Sequence, residues 1–177
     1  MKRSVLLLLV FTLSSYAQTL KQAPRFDSTD LDGKPVVLDS LLSRGPVYVA
    51  FWATWCKPCM RELDELGPIY EKYRDRGFQV VAINQDAPRS LHRVKPVVRG
   101  RHWKFSVLLD PEKALARAFQ VISLPTSFLI DTSGEIVKAR QGFKPGMEKM
   151  IEEEVKQLFG GDEEKQDSET EEKKPES

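Results

Sequence analysis

Cys56 and Cys59 stand two residues apart in the stretch VYVAFWATWCKPCMRE (residues 47–62), and the chain has no other cysteine. Two thiols at this spacing can hold half of a metal site, close a structural bridge, or cycle between dithiol and disulfide. A tetrahedral zinc site needs about four ligands. Only His92 and His102 could complete it, and they lie in a segment without ligand spacing, where they read as ordinary surface residues. A staple is badly served by this pair, because a bridge over a two-residue gap removes little chain entropy and long loops gain far more. Reversible redox chemistry is the use that the spacing suits.

That chemistry requires elements that place the thiols. The continuous apolar run 47–52 has the pattern of a strand buried on both faces. A helix is predicted to start at the cysteines, with Leu63, Leu66, Ile69, Tyr70 and Tyr73 at helical spacing, a kink at Pro68 and a stop at Gly77. Cys56 then sits at the helix N-terminus, where unpaired N–H groups and the helix dipole favour a thiolate. Cys59, one turn further in, is expected to be less exposed. The asymmetry assigns attack on a substrate disulfide to Cys56 and resolution of the mixed disulfide to Cys59. Lys57 adds a positive charge beside the thiolate, and Pro58 stiffens the turn at a first helical position without costing a needed hydrogen bond.

The remaining pattern alternates strands with helices. A hairpin is predicted within 26–39 around Asp32-Gly33, a buried strand at 78–84 and a helix at 88–100 opened by Pro88. A short strand follows at 105–110, then a helix at 111–119 with Pro111 first and Asp110 as its cap. Strands at 126–131 and 135–140 form a second hairpin, and an amphipathic helix at 146–159 closes the fold. This is an α/β sandwich with a mixed sheet. Residues 160–177 lack an apolar stripe, and from Asp162 onward they hold eight acidic and three basic residues. They are expected to form a disordered acidic tail. No internal repeat is visible.

The 177 residues suit one domain, here 18–159, and 41% hydrophobic with 30% charged residues is the composition of a soluble globular protein. A formal net charge of +1 gives no reason to expect nucleic acid as a partner. The N-terminus, MKRSVLLLLVFTLSSYAQ, has two positive charges, a short apolar run, and small residues at Ser15 and Ala17. Residues 1–17 therefore read as a signal peptide of an exported, periplasmic or otherwise extracytoplasmic protein. The apolar run is about half of the 20 residues that a spanning helix needs. No cysteine follows it to carry a lipid.

The chain resembles the TlpA/ResA-like thiol–disulfide oxidoreductases of the thioredoxin superfamily. The features that carry the resemblance are DLDGKPVVLDSL, FWATWCKPC, VVAINQD, LPTSFLIDTSGEIV and GFKPG, spread over residues 24–159. The resemblance implies a thioredoxin-like fold with a central strand-helix insertion at 86–109. It implies that Pro125 is a cis-proline facing the CxxC pair, and that Leu124 offers its main chain to a bound peptide. Trp55 would shield the thiols and touch substrate, whereas Trp52 reads as core. No organic cofactor or metal is implied. The implied partners are cysteine-containing exported proteins, apocytochrome c among the candidates, and a membrane thiol–disulfide electron donor, with the protein acting as a monomer.

Two departures stand out. Classical thioredoxins carry a buried Asp immediately before FW, and this chain has Ala50 there. Another group must then accept the proton of Cys59, and Asp86 in the insertion is the candidate, with a loop-forming role as the alternative. The glycine-rich pattern before the cis-proline of cytochrome-maturation members is replaced by VISLPTSF, which weakens apocytochrome c as a specific substrate. A reductase leads the functional readings. A dithiol oxidase, a copper(I) metallochaperone and a non-catalytic binding module of the same fold remain open. A peroxidase is disfavoured, because peroxiredoxins place Thr three residues before the reactive Cys and this chain has Ala53.

Overall fold

A computed structural model describes the backbone of residues 21–171 and the side chains of 21–160. The signal-peptide reading falls on residues outside that range. The described chain runs β1 (Asp27–Thr29), β2 (Pro35–Val37), α1 (Leu38–Leu42), β3 (Val47–Trp52) and α2 (Lys57–Tyr73). It continues with β4 (Gln79–Asn84), α3 (Val94–Gly100), β5 (Ser106–Leu109), α4 (Ala114–Ala118), β6 (Thr126–Ile130), β7 (Ile136–Gln141) and α5 (Met147–Glu171).

β3 is wholly buried because it lies in the middle of a five-stranded sheet of order β5-β4-β3-β6-β7. It pairs parallel with β4 and antiparallel with β6, and β7 closes the edge as the second arm of a hairpin. Alternation along β3 feeds two separate cores. Tyr48, Ala50 and Trp52 join the layer under α2 and α5, with Leu63, Leu66, Ile69, Val155 and Phe159. Val47, Val49 and Phe51 join the layer under α1 and α4, with Leu38, Leu41, Leu42 and Phe119. Burying a side chain such as Phe51, packed against Phe119 and Phe128, contributes about 1.5–3 kcal/mol. β1 and β2 form the small antiparallel hairpin expected around Asp32-Gly33.

α2 carries Pro68 without losing its helical assignment, and Gly77 ends the following 3-10 turn (Arg74–Arg76) at φ +103°. A Cβ there would lie 1.9 Å from the Arg44 carbonyl oxygen, so only glycine lets the segment before β3 pack this closely.

Three elements differ from the sequence pattern. The helix at 88–100 divides into a 3-10 stretch (Pro88–Arg93) and α3, because Pro96 has no N–H to donate four residues back. α4 begins at Ala114 instead of 111. Asp110 still caps it, accepting the N–H groups of Leu115 at 3.2 Å and Ala116 at 2.9 Å. The pattern ends the last helix at Phe159 and leaves 160–177 disordered, whereas the α5 backbone stays helical to Glu171. Glu, Lys and Gln after Gly161 are good helix formers even without an apolar stripe.

Candidate redox site

The buried strand β3 delivers the chain to a tight turn in which the Cys56 N–H donates to the Ala53 carbonyl at 3.0 Å. Cys56 is the N-cap of α2, and its sulfur accepts the backbone N–H of Cys59 at 3.3 Å. This is the orphan donor that a helix N-terminus must satisfy, and here a sulfur satisfies it. Lys57 is the first helical residue and is exposed, so Pro58 is the second and not the first; its missing N–H is still one that the helix would not use. Cys56 and Cys59 form a disulfide, with Cα atoms 5.3 Å apart. Cys56 keeps 5% of its surface exposed and Cys59 none.

The Leu124–Pro125 peptide bond is cis, and the Pro125 carbonyl accepts the Gly142 N–H at 2.8 Å. Leu124 is half-buried and packs on the layer that contains both cysteines. Trp55 stands out from the surface at 69% exposure and lines a shallow groove together with Leu124. Trp52 is core, edge-on to Trp103 with ring centroids 5.0 Å apart. His92 and His102 are both exposed. Among the described residues no three His, Cys, Asp or Glu side chains are gathered as a metal would need.

Asp86 is 1% exposed and its oxygens are committed. It accepts the Thr54 N–H at 2.8 Å, the Thr54 hydroxyl at 2.7 Å and the Asn84 amide at 2.8 Å. It thereby ties the end of β4 to the loop that leads into Cys56.

Comparison with known proteins agrees with this geometry. The AhpC/TSA family model matches residues 19–139. A thiol-disulfide oxidoreductase ResA of Bacillus thuringiensis subsp. konkukian is 35% identical over 148 residues, 84% of this chain and 83% of the relative. One from Bacillus cereus is 36% identical over 138 residues, 78% of this chain and 77% of that one. A thiol:disulfide interchange protein of the thioredoxin family from Chlorobium tepidum TLS superposes with a TM-score of 0.69 at 29% identity, covering 78% of this chain and 95% of that structure.

The chain belongs to the AhpC/TSA family and is a ResA-like thiol–disulfide oxidoreductase. Its fold is the thioredoxin-like mixed sheet flanked by helices, with the added N-terminal hairpin. No helix among the described residues is long and apolar enough to cross a membrane.

This ResA-like oxidoreductase holds one site residue that the sequence reading passed over. Glu62 is 2% exposed, one turn beyond Cys59 on the same face of α2. Its Oε1 accepts the Tyr48 hydroxyl at 2.8 Å, and that hydroxyl is also 2.8 Å from Ser127 Oγ. Burial pushes the Glu62 carboxyl above its ordinary value, against the hydrogen bonds from Tyr48 and Ser127 and the charge of Arg140, which pull it down. Burial, and then the neighbouring Glu62, hold the Tyr48 phenol far above its ordinary range. Tyr48 lies two residues before Ala50 on the same face of β3. Through Tyr48, Glu62 brings a helix carboxylate to the face of β3 that Ala50 shares. The signal was present in the helical period, because Glu62 sits between Cys59 and Leu66 on the buried stripe.

Proposed function

We propose that the protein is an exported protein-disulfide reductase in which Cys56 is the nucleophile, Cys59 the resolving thiol and Glu62 the proton acceptor of Cys59. The observation that supports this most is the asymmetry of the site. Cys56 is the helix N-cap and keeps 5% of its surface exposed, while Cys59 is fully buried one helical turn before Glu62, a buried carboxylate whose pKa is raised.

In the reduced protein the Cys56 thiolate attacks one sulfur of a substrate disulfide. The substrate S–S bond breaks, a mixed disulfide forms, and one substrate thiolate leaves. Cys59 then gives its proton to Glu62 and attacks the Cys56 sulfur, releasing the second substrate thiolate. Two electrons pass from the protein dithiol to the substrate, which becomes a dithiol, and the protein ends with the Cys56–Cys59 bond seen here. Helix-terminal N–H groups lower the cost of the Cys56 thiolate, and exposed Lys57 adds its charge.

Substrates are cysteine-bearing exported proteins, apocytochrome c among the candidates, and a membrane thiol–disulfide donor returns the pair to dithiol. The charged and apolar halves of residues 1–17 support export. Redox titration of the Cys56–Cys59 pair, scored by alkylation and mass, tests the direction. A midpoint well below about −200 mV supports the reductase, whereas one near −120 mV assigns a dithiol oxidase.

A further inference from the structure

Trp55, the residue before Cys56, is one wall of a shallow groove of about 220 Å³, lined also by Lys113, Arg117, Ile122 and Leu124. Its two apolar walls are the most exposed large hydrophobic side chains among the described residues, Trp55 at 69% and Ile122 at 85%. Its polar wall is cationic, and among the described residues no carboxylate pairs with it. The Lys113 ammonium donates to the backbone carbonyl of Gln85, and the Arg117 guanidinium donates to the backbone carbonyl of Glu112 at 2.7 Å. The nearby Asp110 carboxylate is spent on the Gln85 amide and on two N–H groups of α4. The Glu112 side chain is exposed and pairs with neither cation. Lys113 also has φ +58°, a left-handed conformation that a side chain other than Gly, Asn or Asp uncommonly adopts. Its ammonium reaches the carbonyl of Gln85, another residue of the groove lining.

We propose that this groove is a specificity subsite for a substrate segment carrying an acidic residue next to an apolar one, close to the reacting cysteine. The proposal rests on the exchange reaction above and adds the substrate class. The apolar side chain lies between Trp55 and Ile122, and the carboxylate meets Lys113 and Arg117. Charge complementarity is the reason for this occupant: two cations held only by carbonyl oxygens keep their full charge for an incoming anion.

The test uses pre-reduced full-length protein and three peptides. Each has one cysteine as a mixed disulfide with 2-thiopyridine and one leucine beside it. The residue next to the leucine is Asp, Asn or Lys. The ratio of the Asp to the Asn second-order rates, taken within each protein, removes any change in Cys56 reactivity. The expected ratio is about three- to tenfold at low ionic strength, with the Lys peptide slowest, falling towards one in high salt. In the double variant Lys113→Gln, Arg117→Gln the ratio falls towards one at all salt concentrations. A ratio near one in the wild type overturns the subsite, as does a preference kept by the double variant or one for the leucine alone. Peptides that react without acidic preference remove only the subsite. Peptides that do not react at all remove the exchange reading, and the subsite with it.

Discussion

Asp86 and Glu62 are two buried carboxylates that touch the segment carrying the disulfide, and their surroundings differ. Asp86 meets three donors on Thr54 and Asn84, so its lone pairs hold a loop in place. Glu62 meets the hydroxyls of Tyr48 and Ser127 and the charge of Arg140, and burial still favours its protonated form. A carboxylate held by three donors is a structural tie, whereas one whose protonated form is favoured by burial, a helical turn from Cys59, can exchange a proton. The sequence pointed to Asp86 for proton transfer; the role proposed above falls to Glu62 instead.

Variants sharpen that contrast. The largest stability effect is expected from Asp86→Ala, which leaves the Thr54 N–H, the Thr54 hydroxyl and the Asn84 amide without their acceptor. The expected loss is about 3 kcal/mol in denaturant unfolding of the oxidised protein. An unchanged midpoint would break the assignment of Asp86 as a tie. Glu62→Gln should act in the opposite direction, and only above a certain pH. Because the folded state raises the Glu62 pKa from the ordinary 4.5, the wild type holds this proton more tightly when folded. That contribution is complete below about pH 4.5 and is lost as pH rises through the folded value. The Gln variant should therefore gain stability on the wild type at pH 8 relative to pH 4, read from urea curves at both pH values. A pH-independent difference would deny Glu62 its raised pKa. Tyr48→Phe should cost about 1 kcal/mol and move the Glu62 titration, followed by carboxyl NMR, further upward. Movement downward would mean that the hydroxyl is not its donor.

Much of the fold was legible because its signals are local. The run 47–52 has too few polar residues to be anything but a central strand, and Gly77, Asp32-Gly33 and Ser133-Gly134 punctuate the chain where it turns. The Cys56–Cys59 pair could be read from spacing, and the cis bond before Pro125 followed from the family likeness. Glu62 was obscured by its neighbours. In RELDEL, residues 61–66, four charges surround the apolar positions, and only counting turns from Cys59 separates the buried one from exposed Arg61, Asp64 and Glu65. The left-handed Lys113 and the cationic groove wall were also out of reach, since they depend on β4 and α4 being adjacent. α5 ran past its apolar stripe because backbone propensity continued after the packing signal stopped.

The most direct test of the proton assignment is the pH dependence of resolution. A mixed disulfide on Cys56, loaded with a thiol reporter, is mixed rapidly into buffers from pH 4 to pH 9, and release by Cys59 is timed. The wild type should hold its rate down to the ionisation of Glu62 and lose it below. Glu62→Gln should lack that step and run about 10²-fold slower at neutral pH, while Asp86→Asn keeps the step. A step that survives Glu62→Gln and disappears in Asp86→Asn would contradict the account and return the proton to Asp86.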